Sequence, residues 1–92
     1  MSRFPFLHFI PVPVRPRRDG WTAVLQVRFV IGIARGLSPA RAAARIGRTR
    51  QSALNLRKHP QGRSFASAWD SARRFAEENR TAAEAVAPPR DE

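Results

Sequence analysis

The 92-residue sequence contains no cysteine and no tyrosine, and it has only two histidines. The absence of cysteine excludes a disulfide framework, a thiol nucleophile and zinc sites built on thiolates. His8 lies in a proline-rich segment and His59 directly precedes Pro60, so neither belongs to a helical pair of metal ligands. We therefore expect no catalytic residue, no metal, no cofactor and no small-molecule substrate, and the protein is not expected to be an enzyme.

Acidic residues are scarce in the first two thirds of the chain, where Asp19 is the only carboxylate before His59. Residues 1–58 carry twelve basic side chains and a net charge of +11, whereas residues 59–92 have a net charge of −1. Every basic residue except Lys58 is arginine, which keeps its charge and binds phosphate or guanine in a bidentate manner. The first two thirds are thus expected to face a polyanionic partner, because each neutralised phosphate releases counterions.

Long apolar runs are also missing. Arg28 and Arg35 interrupt the longest candidate, which is too short for the roughly 18 apolar residues of a membrane-spanning helix. Prolines interrupt the apolar stretch 4–14 and argue against a secretory signal. The sequence therefore predicts a soluble, cytoplasmic protein with no membrane partner.

Three parts of the chain are predicted, and they differ in their content of prolines. Residues 1–20 contain four of them, so we expect no regular helix there but an extended arm with an apolar half, 4–14, and a basic half, 15–18. Residues 21–80 have helical periodicity and form the predicted domain. Residues 81–92 are expected to be a flexible tail, with a frayed helical extension before a disordered end.

Four helices are predicted from caps and apolar spacing. Thr22 caps the first, 22–35, and Ser38 with Pro39 begins the second, 39–46. Gly47 ends the second helix, Thr49 caps the third, 50–58, and the fourth runs from Ser64 to about Arg80. The predicted fold is all-α, a three- to four-helix helix-turn-helix bundle with an extended Pro-rich N-terminal arm.

The first helix has more apolar surface than one packed face requires. Val24, Val27 and Ile31 lie away from the stripe formed by Leu25, Phe29 and Ile33. We expect the segment 4–14, a second protomer or another protein partner to cover them.

The two short helices joined at Gly47 have the pattern of a helix-turn-helix unit. Such a unit needs a small residue where the helices cross, a glycine at the turn and apolar anchors on the second helix. The sequence supplies all of these, although any small helical bundle could use the same pattern: Ala42, Ala43, Ile46, Gly47, Ala53 and Leu56.

The opposite side of the third helix is polar and free of carboxylates. Arg50, Gln51, Asn55 and Lys58 face outward when Ala53 and Leu56 face the core. Arginine pairs with guanine, and glutamine or asparagine with adenine, so these side chains can read base edges in the major groove. An ordinary solvated helix face would normally mix charges of both signs.

Further basic and capping residues surround this face. They are predicted to contact phosphates, or in the case of the basic arm the minor groove. The predicted phosphate contacts are Ser38, Arg41, Arg45, Arg48, Arg57 and Lys58, and the arm residues are Arg15, Arg17 and Arg18.

Trp21 to Ala72 resembles small bacterial helix-turn-helix proteins of homeodomain-like type. The specific features are Arg50-Gln51-Ser52-Ala53 followed by the closing Phe65-Ala66-Ser67-Ala68-Trp69-Asp70. The resemblance implies DNA binding, with Thr49, Arg50, Gln51 and Asn55 at the base-reading positions. Arg48 departs from the pattern, because an aliphatic residue usually follows the turn glycine. Either the turn packs differently, or Arg48 buries only its stem and adds a phosphate contact.

Together these features predict a sequence-selective protein that binds double-stranded DNA in the bacterial nucleoid, a transcriptional regulator in function. The alternative is a non-enzymatic adaptor, or a phage-type packaging or replication accessory subunit, that binds DNA with little base preference.

Overall fold

A computed structural model of the chain describes residues 5–13 and 20–86, and over these ranges it is helical and contains no strand. A short 3-10 helix, Pro5–His8, is followed by four α-helices: α1 (Ala23–Ala34), α2 (Pro39–Arg45), α3 (Arg50–Arg57) and α4 (Arg63–Val86). The predicted all-α bundle is confirmed. The predicted helical extension of the last helix is also observed, as far as Val86.

The 3-10 helix corrects one expectation, since no regular helix was predicted among the N-terminal prolines. Pro5 is its first residue, and a proline is tolerated there because the first N–H groups of a helix have no partner within it. The basic half of the predicted arm, residues 15–18, lies outside the described residues.

Short-range hydrogen bonds and glycines set the helix boundaries. The hydroxyls of Thr22, Ser38 and Thr49 each accept a hydrogen bond from the backbone N–H three residues later, as predicted for N-caps. Gly47 has φ +72° in the turn between α2 and α3, a conformation that costs other residues free energy. The sequence thus encodes these two short helices locally.

The core lies between α1 and α4 and is rich in aromatic rings. Phe29 of α1 packs on Trp69 of α4 with ring centroids 4.8 Å apart and on Trp21 at 5.5 Å. Phe65 completes this aromatic cluster and is fully buried. The predicted stripe of α1 is confirmed at Phe29 and Ile33, while Leu25 is only half-buried.

The N-terminal segment belongs to the same core. The buried Gln26 side chain donates from Nε2 to the carbonyl of Val12 at 2.9 Å, and its Oε1 accepts from the Val12 N–H at 2.8 Å. Phe9 packs on Phe65 with centroids 6.0 Å apart, and the Ile10 N–H donates to Ser64 Oγ. Residues 9–12 are therefore fixed to the bundle rather than detached from it.

The surplus apolar surface of α1 is partly exposed. Val24 is 60% exposed, whereas Val27 and Ile31 are half-buried. Cover by the segment 4–14, by a second protomer or by another protein stays a prediction.

Candidate nucleic-acid interface

The α2–turn–α3 unit buries the residues that the sequence assigned to it. Ala42, Ala43, Ala53 and Leu56 are buried, and Ile46 is half-buried against the same core. Close packing of α1 on α2 depends on Gly32, where a Cβ atom would lie 3.1 Å from the Ala42 Cβ. These small residues hold α2 and α3 firmly on the bundle.

The outer face of α3 is exposed over its whole length. Arg50, Gln51, Asn55 and Lys58 are all exposed, and Gln51 Nε2 donates a hydrogen bond to Asn55 Oδ1 at 3.0 Å. The two amides therefore lie side by side, one turn apart. A positive charge stands at each end of the pair.

The start of α3 is fixed by a reciprocal cap. Thr49 is exposed, and its hydroxyl accepts from the Ser52 N–H, while Ser52 Oγ accepts from the Thr49 N–H at 3.2 Å. Ser52 also accepts a hydrogen bond from Trp21 Nε1 at 3.1 Å. This contact connects the first turn of α3 to the residue that precedes the cap of α1.

Arg48 has a structural contact that the sequence did not reveal. Its side chain is half-buried, and its Nε and Nη2 donate to the Gly20 carbonyl at 3.3 and 3.0 Å. Nη1 donates to the Gly47 carbonyl at 2.8 Å. The guanidinium thus ties the turn to the chain before α1, and its predicted phosphate contact stays a prediction.

Arg57 is likewise held within the bundle. Its Nη2 lies 3.0 Å from the Asp70 carboxylate, and its guanidinium carbon is 5.1 Å from the centroid of the Trp69 ring. Asp70 belongs to α4, so this ion pair joins two helices. These contacts attach the end of α3 to α4.

The remaining residues predicted to contact phosphates are either exposed or lie outside the described residues. Ser38, Arg41 and Arg45 on α2 are exposed, as is Lys58 at the end of α3. Arg15, Arg17 and Arg18 lie outside the described residues. Arg45 borders a surface cleft of about 280 Å³ together with Arg28 of α1 and Arg35, which directly follows α1. The sequence had not assigned these two arginines to the interface.

A second basic feature was also missed. A groove of about 460 Å³ lies between the α1–α2 turn, the start of α3 and the middle of α4, and we call it the α3–α4 groove. Its walls include arginines from α3 and from α4. The net charge of residues 59–92 had suggested that α4 has no basic surface. The lining residues with charged side chains are Arg50, Arg73, Glu77 and Arg80.

Comparison of the chain with protein-family models, curated proteins and solved structures gave no match. Within residues 5–13 and 20–86, no helix is both long enough and apolar enough to cross a membrane. No cluster of histidine, aspartate and glutamate in that part of the chain could hold a metal ion. The assignment of function therefore depends on the exposed basic surfaces.

Proposed function

We propose that the protein is a sequence-selective DNA-binding protein, a transcriptional regulator in which α2 and α3 act as a helix-turn-helix. The observation that carries the proposal is the exposed face of α3, where Arg50, Gln51, Asn55 and Lys58 stand opposite the buried Ala53 and Leu56. This face bears no carboxylate, so it presents only neutral amides and positive charge to the DNA.

In this proposal α3 lies in the major groove of double-stranded DNA. The Gln51 and Asn55 amides can each form two hydrogen bonds with an adenine edge once they exchange their mutual hydrogen bond for the base. Arg50 can donate to guanine N7 and O6. Arg41 and Arg45 on the adjacent α2 are exposed and can bind phosphates, which fixes the register of α3 without selecting sequence.

The proposal is tested by titrating the protein with a random duplex and with a duplex selected from a random pool, across several salt concentrations. We expect the selected duplex to bind about a thousandfold more tightly and to keep its advantage as salt rises. Equal binding of both duplexes with a steep salt dependence would instead identify a DNA-binding adaptor without base preference. Binding of neither duplex would overturn a role on DNA.

A double variant tests the assignment to α3. Gln51→Ala with Asn55→Ala should reduce the preference for the selected duplex by about 1 to 3 kcal/mol for each base that the variant no longer reads. Asn79→Ala is a matched control, because Asn79 is also exposed on a helix but lies on α4. An unchanged preference in the double variant would show that other residues read the bases.

A further inference from the structure

We propose that the α3–α4 groove binds the phosphate backbone of the DNA strand next to the base-reading helix. This inference rests on the proposed function and extends the DNA-binding surface to α4. The residues that would bind the phosphates are Arg73 and Arg80 of α4, and Arg50 of α3 borders the groove on the side of the base-reading face.

Convergence of charge from separate elements is the first argument. Arg50 is the first residue of α3, while Arg73 and Arg80 come from the middle of α4, yet all three line one groove and all three are exposed. Because Arg50 also belongs to the outer face of α3, the groove continues directly from the proposed base-reading surface. A strand that passes α3 would meet the groove at its edge.

The spacing on α4 is the second argument. Arg73 and Arg80 are seven residues apart, so they lie on the same side of α4, two turns or about 10 Å from one another. Guanidinium groups at that separation can bind different phosphates of one strand. Arginine suits this role because its planar group donates to phosphate oxygens in a bidentate manner.

Among the described residues that line the groove, Glu77 is the one carboxylate. Its Oε1 lies 3.8 Å from Arg73 Nε, too far for a good hydrogen bond, and both side chains are more than half exposed. Such a pair contributes little to stability but lowers the positive potential of the groove. Glu77 should therefore weaken phosphate binding. Removing its charge should strengthen binding, whereas removing an arginine of the groove should weaken it.

The sequence alone concealed this feature. Residues 59–92 have a net charge of −1, which suggested that the polyanion-facing surface ended before α4. Arg73 and Arg80 of that region nevertheless line the groove, whereas Arg63 and Arg74 of the same helix do not.

The test compares two double variants that remove the same charge from the same helix. Arg73→Ala with Arg80→Ala removes the groove arginines, and Arg63→Ala with Arg74→Ala is the control. We expect the salt slope of binding to random duplex to fall by about 2 in the groove variant only, since each phosphate contact contributes about 0.9. From 50 to 200 mM salt, the groove variant should then lose about twelvefold less affinity than the wild type. Glu77→Gln should bind more tightly than the wild type at every salt concentration.

The outcomes separate this inference from the proposal on which it depends. A wild-type slope in the groove variant, or equal effects of both double variants, would overturn the groove assignment while DNA binding itself stands. A wild-type protein that binds no duplex would overturn both. Circular dichroism should show equal helicity in all variants, because alanine is the best helix former and these arginines are exposed.

Discussion

The amide of Gln26 makes three buried hydrogen bonds: two with the backbone of Val12 and one from Nε2 to the Trp21 carbonyl at 3.0 Å. A buried backbone N–H or carbonyl usually finds its hydrogen-bond partner within a strand or a helix. Here one polar side chain supplies both partners to a segment without regular secondary structure, which allows Val12 to reach the core without an unsatisfied N–H or carbonyl. Position 26 lies three residues before Phe29 on the buried face of α1, so a polar residue there needs a buried hydrogen-bond partner.

Gln26→Leu should lower the free energy of unfolding by about 2 to 4 kcal/mol, because it leaves buried backbone groups without partners. Gln61→Leu is the control, since Gln61 is exposed in the loop after α3, and it should change stability by less than about 0.5 kcal/mol. Urea denaturation followed by circular dichroism measures both. Equal stabilities of the two variants would mean that the Gln26 hydrogen bonds contribute nothing net.

Arg57 is the second residue whose role depends on tertiary contacts. Its positive charge pairs with the Asp70 carboxylate, and its planar guanidinium lies over the Trp69 ring. Arg57→Ala should reduce stability by about 1 kcal/mol, with the ion pair discounted for its exposure. Arg57→Lys should recover less than half of that loss, because an ammonium group lacks the planar face.

Thermal denaturation of both Arg57 variants measures this difference. Lys58→Ala is the matched control, as it removes a neighbouring exposed charge and should leave stability nearly unchanged. Full recovery in Arg57→Lys would assign the effect to charge alone.

At the level of elements, glycines at either end of α3 have different physical roles. Gly47 allows a positive φ, and a Cβ there would meet no atom within 4 Å. Gly62 has no such backbone requirement, but a Cβ would lie 2.5 Å from the Leu56 carbonyl oxygen and 3.0 Å from that of Arg57. Glycine is therefore required in the α3–α4 connection because a side chain would clash with backbone carbonyls. In the α2–α3 turn it is required because of the positive φ.

Substitution by alanine should separate these roles. Gly47→Ala should cost about 1 to 2 kcal/mol of conformational strain. Gly62→Ala should cost about 3 kcal/mol, the upper end for overpacking, because backbone carbonyls at the end of α3 would have to move. Urea midpoints give the comparison, and a smaller loss in Gly62→Ala than in Gly47→Ala would contradict the steric argument.

The same elements show what could be predicted from the sequence. The limits of α2 and α3 depend on Ser38-Pro39, Gly47 and Thr49, which act within three or four residues of themselves and are therefore readable in a linear chain. The exposed face of α3 follows equally directly from the helical period around Ala53 and Leu56. Such local signals were sufficient for the fold class and for the exposure of the proposed base-reading residues.

Contacts with backbone acceptors were not readable in this way. Gln26 meets Val12 across 14 residues, and Arg48 meets Gly20 across 28. Every residue has a carbonyl, so no residue type marks the partner in advance. Arg50 lies near Arg73 and Arg80 only because of how α4 packs. The net charge of a stretch of sequence does not show which of its side chains meet in the folded protein.

At the scale of the whole molecule, residues 9–12 share one core with the helical bundle, and we expect the two to unfold together. The Val12 N–H bonds to a fully buried side chain, whereas the Ile10 N–H bonds to Ser64 Oγ near the surface. Amide hydrogen exchange should therefore protect Val12 almost as well as the centre of α1, and Ile10 much less. Equal, fast exchange at both amides would show that the segment opens independently of the bundle.

The two tryptophans of the chain both contact α3, one near each end. Trp21 donates to Ser52 in the first turn, and Trp69 lies beneath Arg57 at the last residue. Because the sequence has no tyrosine, the emission of the unlabelled protein comes almost entirely from these two indoles. Any ligand that displaces α3 from the bundle changes the surroundings of at least one of them, so the protein contains its own optical reporter of this helix.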